Sequence, residues 1–263
     1  MALIFETIDL RKRFHVGDTE IEVLKGLNLK IEKGEFVIIF GPSGCGKSTL
    51  LHCLLGLEEP TSGKILVEGK DYYEGDEDSR ALYRRHKVGT IYQQSLWINA
   101  CTVLENVAFP LHLLDMSAEE IEKKAMDKLA LVGMDKWATY TPTELSSGQQ
   151  QKINLARALT IDPIMIIADE PTGNLDTMSG QELIDTFLKL GEDEKTIIMV
   201  THDLEYLKYA THVFHMIDGE VVEEIKRDNS GVSKQVISGK KEIGGSGLGS
   251  NVRDKDFLKK LNF

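Results

Sequence analysis

Residues 41–49 read Gly-Pro-Ser-Gly-Cys-Gly-Lys-Ser-Thr. They follow the apolar run 36–40 and lead into Leu50-Leu51. A strand that enters a glycine loop ending in Lys-Ser, with a helix after it, is the pattern of a phosphate-binding loop. Gly41, Gly44 and Gly46, set between Pro42, Ser43 and Cys45, free the backbone to turn its N–H groups toward an anion. The helix starting at Ser48-Thr49 adds a favourable dipole for phosphate. Lys47 offers a mobile cation, and Ser48 a hydroxyl for a phosphate-bound Mg2+.

Three further stretches carry chemistry. The apolar run 164–168 ends in Asp169-Glu170, and an acidic pair at the carboxyl end of a strand belongs beside the phosphate loop of a nucleotide hydrolase. Asp169 is expected to hold Mg2+ directly or through its waters, and Glu170 to orient and deprotonate the attacking water. His202, in Thr201-His202-Asp203 after the apolar run 196–200, could hydrogen-bond the γ-phosphate and that water. Leu145-Ser146-Ser147-Gly148-Gln149 is a Ser/Gly turn entering a helix, hence a second anion site. A chain with one phosphate loop has no use for two such sites. The second is therefore expected to face the nucleotide of another copy.

The elements that must position these residues are partly legible. Residues 4–10, 21–24, 27–31 and 64–68 read as short strands of an antiparallel layer around the phosphate loop, and 88–92 as a further strand. From about 95 to 158 the pattern is helical. Ser117 with Glu120 gives a capping box, Ile121, Ala125, Leu129 and Val132 recur at helical spacing, and Gly133 ends the run. The runs 164–168 and 196–200 suit strands buried on both faces of a mostly parallel sheet, with a helix over 179–190 between them. The sum is an α/β core interrupted by a helical insertion. From about residue 226 the composition shifts. Residues 226–263 hold nine Lys or Arg against four Asp or Glu, include a Gly/Ser-rich linker at 244–250, and end in a stretch, 254–263, that reads either as a short docked helix or as a frayed terminus.

Composition narrows the function classes. The 263 residues are 41% hydrophobic, enough for a sizeable core. No apolar run approaches the ~18–20 residues of a membrane helix, and the N-terminus lacks a secretory pattern. The net charge of −11 argues against nucleic acid as a partner. Cys45, Cys53 and Cys101 have no metal spacing and cannot all pair, which points to a reducing cytosol. Cys45, near Lys47 and a helix N-terminus, reads either as a thiol that favours the thiolate, so that alkylation blocks ATP binding and ATP protects it, or as a small filler at a tolerant position.

In order and spacing, the loop 41–49, the turn 145–149, the acidic strand 164–170, Asn174-Leu175-Asp176 and His202 resemble the motifs of ATP-binding cassette ATPases. The resemblance covers roughly residues 3–225. It implies a P-loop NTPase core with a mostly parallel sheet, an antiparallel β subdomain and a helical subdomain inserted at about 95–160, with 226–263 as an extension. It also implies residue roles. Phe14 matches the aromatic that stacks on adenine, and Gln93 the glutamine that reaches Mg2+ and water, with Gln94 as the alternative register. Asp176 matches the acid that communicates across a dimer, and Glu144 an acidic position near the membrane-subunit contact. ATP then lies between Phe14, Lys47, Ser48, Gln93, Asp169, Glu170 and His202 of one copy and Ser146, Gly148 and Gln149 of the other.

The stretches 41–44, 92–94, 104–107 and 171–176 are similar to the macrolide-exporter and lipoprotein-release group. That similarity implies a homodimer coupling ATP hydrolysis to a separate membrane permease, on the cytoplasmic face. Transmembrane signalling or a non-transport process is the alternative. The permease contact is expected around Leu96-Trp97-Ile98 and Cys101-Thr102-Val103. Two departures stand out. Ser147 replaces the usual glycine, so its Cβ is expected to crowd the partner's triphosphate or restrict the turn. Lys152 replaces the usual arginine, which keeps the charge but loses the bidentate geometry.

Overall fold

The computed structural model describes residues 2–227 and the backbone of 233–236. The chain opens with β1 (Leu3–Val16), β2 (Thr19–Leu27) and β3 (Lys30–Glu32). Then come β4 (Phe36–Phe40), α1 (Lys47–Leu54), β5 (Ser62–Val67), β6 (Lys70–Asp71), α2 (Glu77–Lys87) and β7 (Val88–Ile91). The helical stretch holds α3 (Val103–Ala108), α4 (Ala118–Leu131) and α5 (Ser147–Leu159). The last part returns to β8 (Met165–Asp169), α6 (Thr177–Glu192), β9 (Thr196–Thr201), β10 (His212–Ile217), β11 (Glu220–Arg227) and β12 (Ser233–Val236).

Two sheets result. One is antiparallel, ordered β2-β1-β5-β6 with β3 also on β1. The other runs β12-β11-β10-β4-β9-β8-β7, parallel from β10 to β7 and antiparallel at β11 and β12. Strands β4 and β9 are buried along their whole length, as their unbroken apolar sequences require. One apolar core lies between the two sheets around α1, a second packs α5 and α6 on the opposite face, and a third joins α3, α4 and α5. The α/β architecture is the expected one.

Several elements follow from their sequences. In α4 the Ser117–Glu120 capping box forms, and Ile121, Ala125 and Leu129 are its buried stripe. Other elements differ. The strand expected at 27–31 is broken at Asn28-Leu29, because Asn28 Oδ1 accepts the Asp9 N–H and Thr7 holds the Leu29 N–H. The helix expected at 179–190 begins earlier, because Asp176 caps it by accepting the N–H groups of Met178 and Ser179. Strand β11 runs to Arg227, and β12 pairs with it as an edge strand. The linker at 244–250 and the helix at 254–263 lie outside the described residues.

The N-terminal end of β4 is closed by a buried polar cluster. The two ring nitrogens of His212, which is 1% exposed, lie 3.2 Å from Glu35 Oε2 and 2.9 Å from Glu224 Oε1. Lys226 reaches Glu32 at 2.8 Å and Glu35 at 2.7 Å. Burial alone would depress the His212 pKa, but its bonds to Glu224 and Glu35 outweigh burial and raise it. A raised histidine stabilises the fold fully below its unfolded value near 6.5, and that contribution fades as pH rises through the folded value. His212→Ala leaves Glu35 short of a partner and is expected to cost about 3 kcal/mol. Thermal melts from pH 6 to 9 should show the gap between the two proteins narrowing at high pH.

Candidate functional site

The loop after β4 opens at the carboxyl end of the parallel sheet, between β10 and β9, where the edge of such a sheet offers a crevice. Gly46, the N-cap of α1, has φ 102°, and a Cβ there would lie 3.0 Å from the Val23 carbonyl and 3.1 Å from Leu24. Only glycine lets the loop pass this close to β2. The β1–β2 register slips at Val23, and such bulges re-aim side chains beside sites.

A cavity of about 330 Å³ is lined by Val23, Ser43, Gly44, Gly46, Lys47, Ser48, Thr49, Gln93, Glu170 and His202. Lys47 is buried and donates to the carbonyls of Gly41 at 2.8 Å and Pro42 at 3.1 Å, with Glu170 Oε1 at 3.7 Å. His202 Nδ1 is in close contact with Glu170 Oε2. Ser48 donates to Asp169 Oδ1 at 3.3 Å. Burial pushes the Asp169 carboxyl above its ordinary range, against the pull of the Ser48 bond. Glu170 holds φ 46°, a left-handed backbone uncommon for a residue with a Cβ. Its N–H donates to the Val200 carbonyl of β9 at 3.0 Å, and its carbonyl accepts from Gly173 at 3.1 Å. These bonds fix the carboxylate against Lys47 and His202.

Most of the expected set thus converges. Gln93 lines the cavity and Gln94 does not. Gly41 and Pro42 stand behind the lining and act through their carbonyls on Lys47. Phe14 lies outside the lining, paired with Ile21 on the strand that supplies Val23, and Lys12 Nζ sits 4.9 Å from its ring centroid. Val23 escapes a reading of the sequence, since nothing marks one apolar strand residue as lining a site.

At Cys45 the filler reading is favoured over a reactive thiolate. Its side chain is 4% exposed and packs in the core between the sheets. Burial, ahead of the opposing pull of Lys47, pushes its thiol pKa up, so the thiolate is disfavoured. Iodoacetamide at pH 8 should modify Cys45 slowly, at the same rate with and without Mg-ATP. Fast, ATP-protected labelling would place the thiol in the cavity instead.

The turn 145–149 stands apart from the cavity. Ser146 caps α5, its hydroxyl accepting the Gln149 N–H at 3.3 Å, while Gln149 Oε1 accepts the Ser146 N–H at 2.9 Å. Ser147 is the first residue of α5 and has no positive φ, so its Cβ does not restrict the turn. Gly148 is the tight position: a Cβ there would lie 2.8 Å from Ser179 Oγ. Ser179 donates to Asp176 at 2.9 Å, so the N-termini of α5 and α6 meet at this point. Hydrogen bonds from the backbone and side chain of Ser179 lower the Asp176 pKa. Lys152 pairs with Glu182 of α6 at 2.7 Å. Glu144 caps the short turn Pro142–Glu144 through Thr141. Of the apolar surface expected at 96–98, Leu96 and Ile98 are exposed while Trp97 turns inward.

Comparisons with known proteins agree with this geometry. The family model described as ABC transporter matches residues 24–173. The chain is 42% identical over 206 residues to the lipoprotein-releasing system ATP-binding protein LolD of Aquifex aeolicus, covering 78% of this chain and 92% of that one. It is 37% identical over 258 residues to the macrolide export ATP-binding/permease protein MacB of Chlorobium phaeobacteroides, covering 98% of this chain but 39% of that longer protein. The solved dimeric cassette MJ0796 of Methanocaldococcus jannaschii superposes with a TM-score of 0.80 at 38% identity, covering 84% of this chain and 98% of that one. The same cassette has also been solved in a dimeric post-hydrolysis state bound to ADP and Pi. The chain therefore belongs to the ABC transporter family, as an ATPase of the group that includes the MacB and LolD ATP-binding proteins.

Proposed function

We propose that two copies of this chain bind two ATP molecules head to tail and drive a separate membrane permease of the macrolide-export or lipoprotein-release kind. One observation carries the reading. Lys47, Ser48, Gln93, Glu170 and His202 share a cavity, while Ser146, Gly148 and Gln149 lie outside it, Ser146 exposed and the other two half-buried. A second copy can supply that turn to a phosphate already held by the loop. The dimeric state of the MJ0796 cassette supports this arrangement.

In this reading Phe14 stacks on adenine, a contact on the order of 1 kcal/mol. The loop from Gly41 to Thr49 cradles the phosphates, and Lys47 exchanges its carbonyl partners for phosphate oxygens. Glu170 orients the attacking water and takes its proton, while His202 holds the Glu170 carboxylate in place. Asp176 lies at the turn before α6, beside the 145–149 turn of its own copy. The Ser48 hydroxyl, the Asp169 carboxylate and the Gln93 amide form a hard-oxygen set that suits Mg2+, which keeps most of its ligands as water and phosphate. When bound, the ion would offset charge on the phosphates.

No described helix is long and apolar enough to cross a membrane. Leu96 and Ile98 before α3, and Phe109 and Leu113 after it, are exposed and apolar, and such residues mark a partner surface. Mixing two inactive variants tests the head-to-tail order. Lys47→Ala destroys the loop of its own copy, and Ser146→Arg the turn it offers. A mixed dimer has one intact site, so combining the two should restore ATPase activity. A mixture as inactive as its parents would remove the arrangement.

A further inference from the structure

Two tyrosines stand between His202 and the start of α6. After β9 the chain makes a 3-10 turn over Leu204–Tyr209, capped by Asp203, whose carboxylate accepts the Glu205 N–H at 2.9 Å. Tyr206 and Leu207 of this turn are buried in the core that packs α5 and α6. Tyr209 donates its hydroxyl to Gln181 Oε1 of α6 at 3.0 Å. Tyr206 reaches the neighbouring Gly180. A Cβ placed on Gly180 would lie 2.5 Å from the Tyr206 hydroxyl oxygen, 3.6 Å from its Cζ and 3.8 Å from Thr172 Cγ2. The hydroxyl is thus wedged between α6 and Thr172, whose side chain it hydrogen-bonds.

Thr172 belongs to the turn that follows Glu170. Its carbonyl accepts the Leu175 N–H at 3.0 Å, and the Glu170 carbonyl accepts the Gly173 N–H at 3.1 Å. His202, four residues before Tyr206, touches the Glu170 carboxylate. The two turns are therefore joined twice. The His202–Glu170 contact lies in the cavity, while Tyr206 and Thr172 lie outside its lining. Both partners of the outer contact are locally unfavourable choices. A leucine would fill the core without burying a hydroxyl, and glycine inside a helix is less stable than alanine. Two such choices meeting at one point, behind a catalytic pair, mark a site kept for function rather than for packing.

We propose that Tyr206 is a positioning residue for hydrolysis, its hydroxyl setting how closely the turn that carries His202 approaches the turn that carries Glu170. The inference rests on Glu170 acting as the base. Glu170 has a left-handed backbone whose N–H is held by Val200, so the direction of its carboxylate follows the turn behind it. The Tyr206 ring is planar and enclosed by the core, and it cannot fold away. Displacing its hydroxyl moves either Leu204–Tyr209 or the turn at Thr172. Either movement alters the His202–Glu170 contact, and a misplaced catalytic group loses rate steeply. Phosphate binding is spared, because Lys47 and the glycine loop belong to β4 and α1.

Steady-state ATPase assays on the full chain test this with Gly180→Ala, Tyr206→Phe and the double variant. The Cβ of Gly180→Ala must push the hydroxyl away by about 1 Å, and kcat should fall about 30-fold, within the range such a misplacement causes. KM for ATP should stay within about twofold, as for a loss felt only in the transition state. Tyr206→Phe should lower kcat about threefold, the scale of one lost hydrogen bond. In the double variant the Cβ meets Cζ at 3.6 Å, an ordinary contact, so kcat should climb back to the level of Tyr206→Phe alone. Lost packing would not give that rescue. Tyr206→Phe, which keeps the ring in the core, decides the matter if Gly180→Ala does not fold. Full kcat in Tyr206→Phe, a loss seen in KM alone, or a Gly180→Ala defect that Tyr206→Phe does not relieve overturns the positioning role. Glu170→Gln is assayed beside them. If it keeps turnover, the base reading falls and the positioning role with it; if it is inactive while Tyr206→Phe is fully active, the positioning role falls alone.

Discussion

Glu170→Gln should bind ATP, assemble into a stable dimer and lose hydrolysis by at least ~10²-fold, the lower range of a general base's contribution. The amide keeps the size and shape of the carboxylate, so the bond from the Glu170 N–H to Val200 and the left-handed turn at this residue are retained. What disappears is the oxygen able to take the proton from water. The negative charge beside Lys47 also goes, 3.7 Å from its ammonium, which frees that cation for the phosphates and favours ATP retention. Sedimentation with and without Mg-ATP, together with a phosphate-release assay, checks both halves. A monomer with ordinary turnover would remove Glu170 from the reaction.

Lys47→Ala should weaken ATP binding by about 10²-fold, the equivalent of about 3 kcal/mol for charge-assisted bonds. The ammonium is buried at the floor of the cavity and bonds the carbonyls of Gly41 and Pro42. The strand and glycine loop therefore aim it before any nucleotide arrives, and no other lysine or arginine lines the cavity. Removing it leaves two carbonyls that water can reach through the open cavity. The melting temperature should consequently change little compared with the loss in affinity. Titration with a fluorescent ATP analogue gives the dissociation constant, and a binding loss of less than threefold would remove Lys47 from the site.

The legible parts of the site are those whose chemistry is continuous along the chain. The loop 41–49, the acidic end of β8 and the capped start of α5 each place strand, turn and helix in one stretch, so local sequence carries the geometry. Helix α2 shows the converse. Its ends are well marked, with Asp76 capping Ser79, acids in its first turn and four basic residues in its last. Yet none of its residues is buried, so the apolar periodicity that reveals α4 is missing here. Cys45 stays ambiguous in the sequence for a different reason. Its neighbours in sequence favour a thiolate, but which side of the loop meets the core is decided by β10, whose Met216 carbonyl lies against Gly41. The Glu35–His212 pair spans 177 positions, and no local pattern signals a bond of that span.

Strand β4 has the hydrolytic machinery at one tip and the Glu35–His212–Lys226 cluster at the other, separated by five residues, or about 16 Å of extended chain. Durability and turnover therefore answer to different ends of the same strand. An engineer can retune heat tolerance or alkali tolerance at the cluster and leave the catalytic rate as it was.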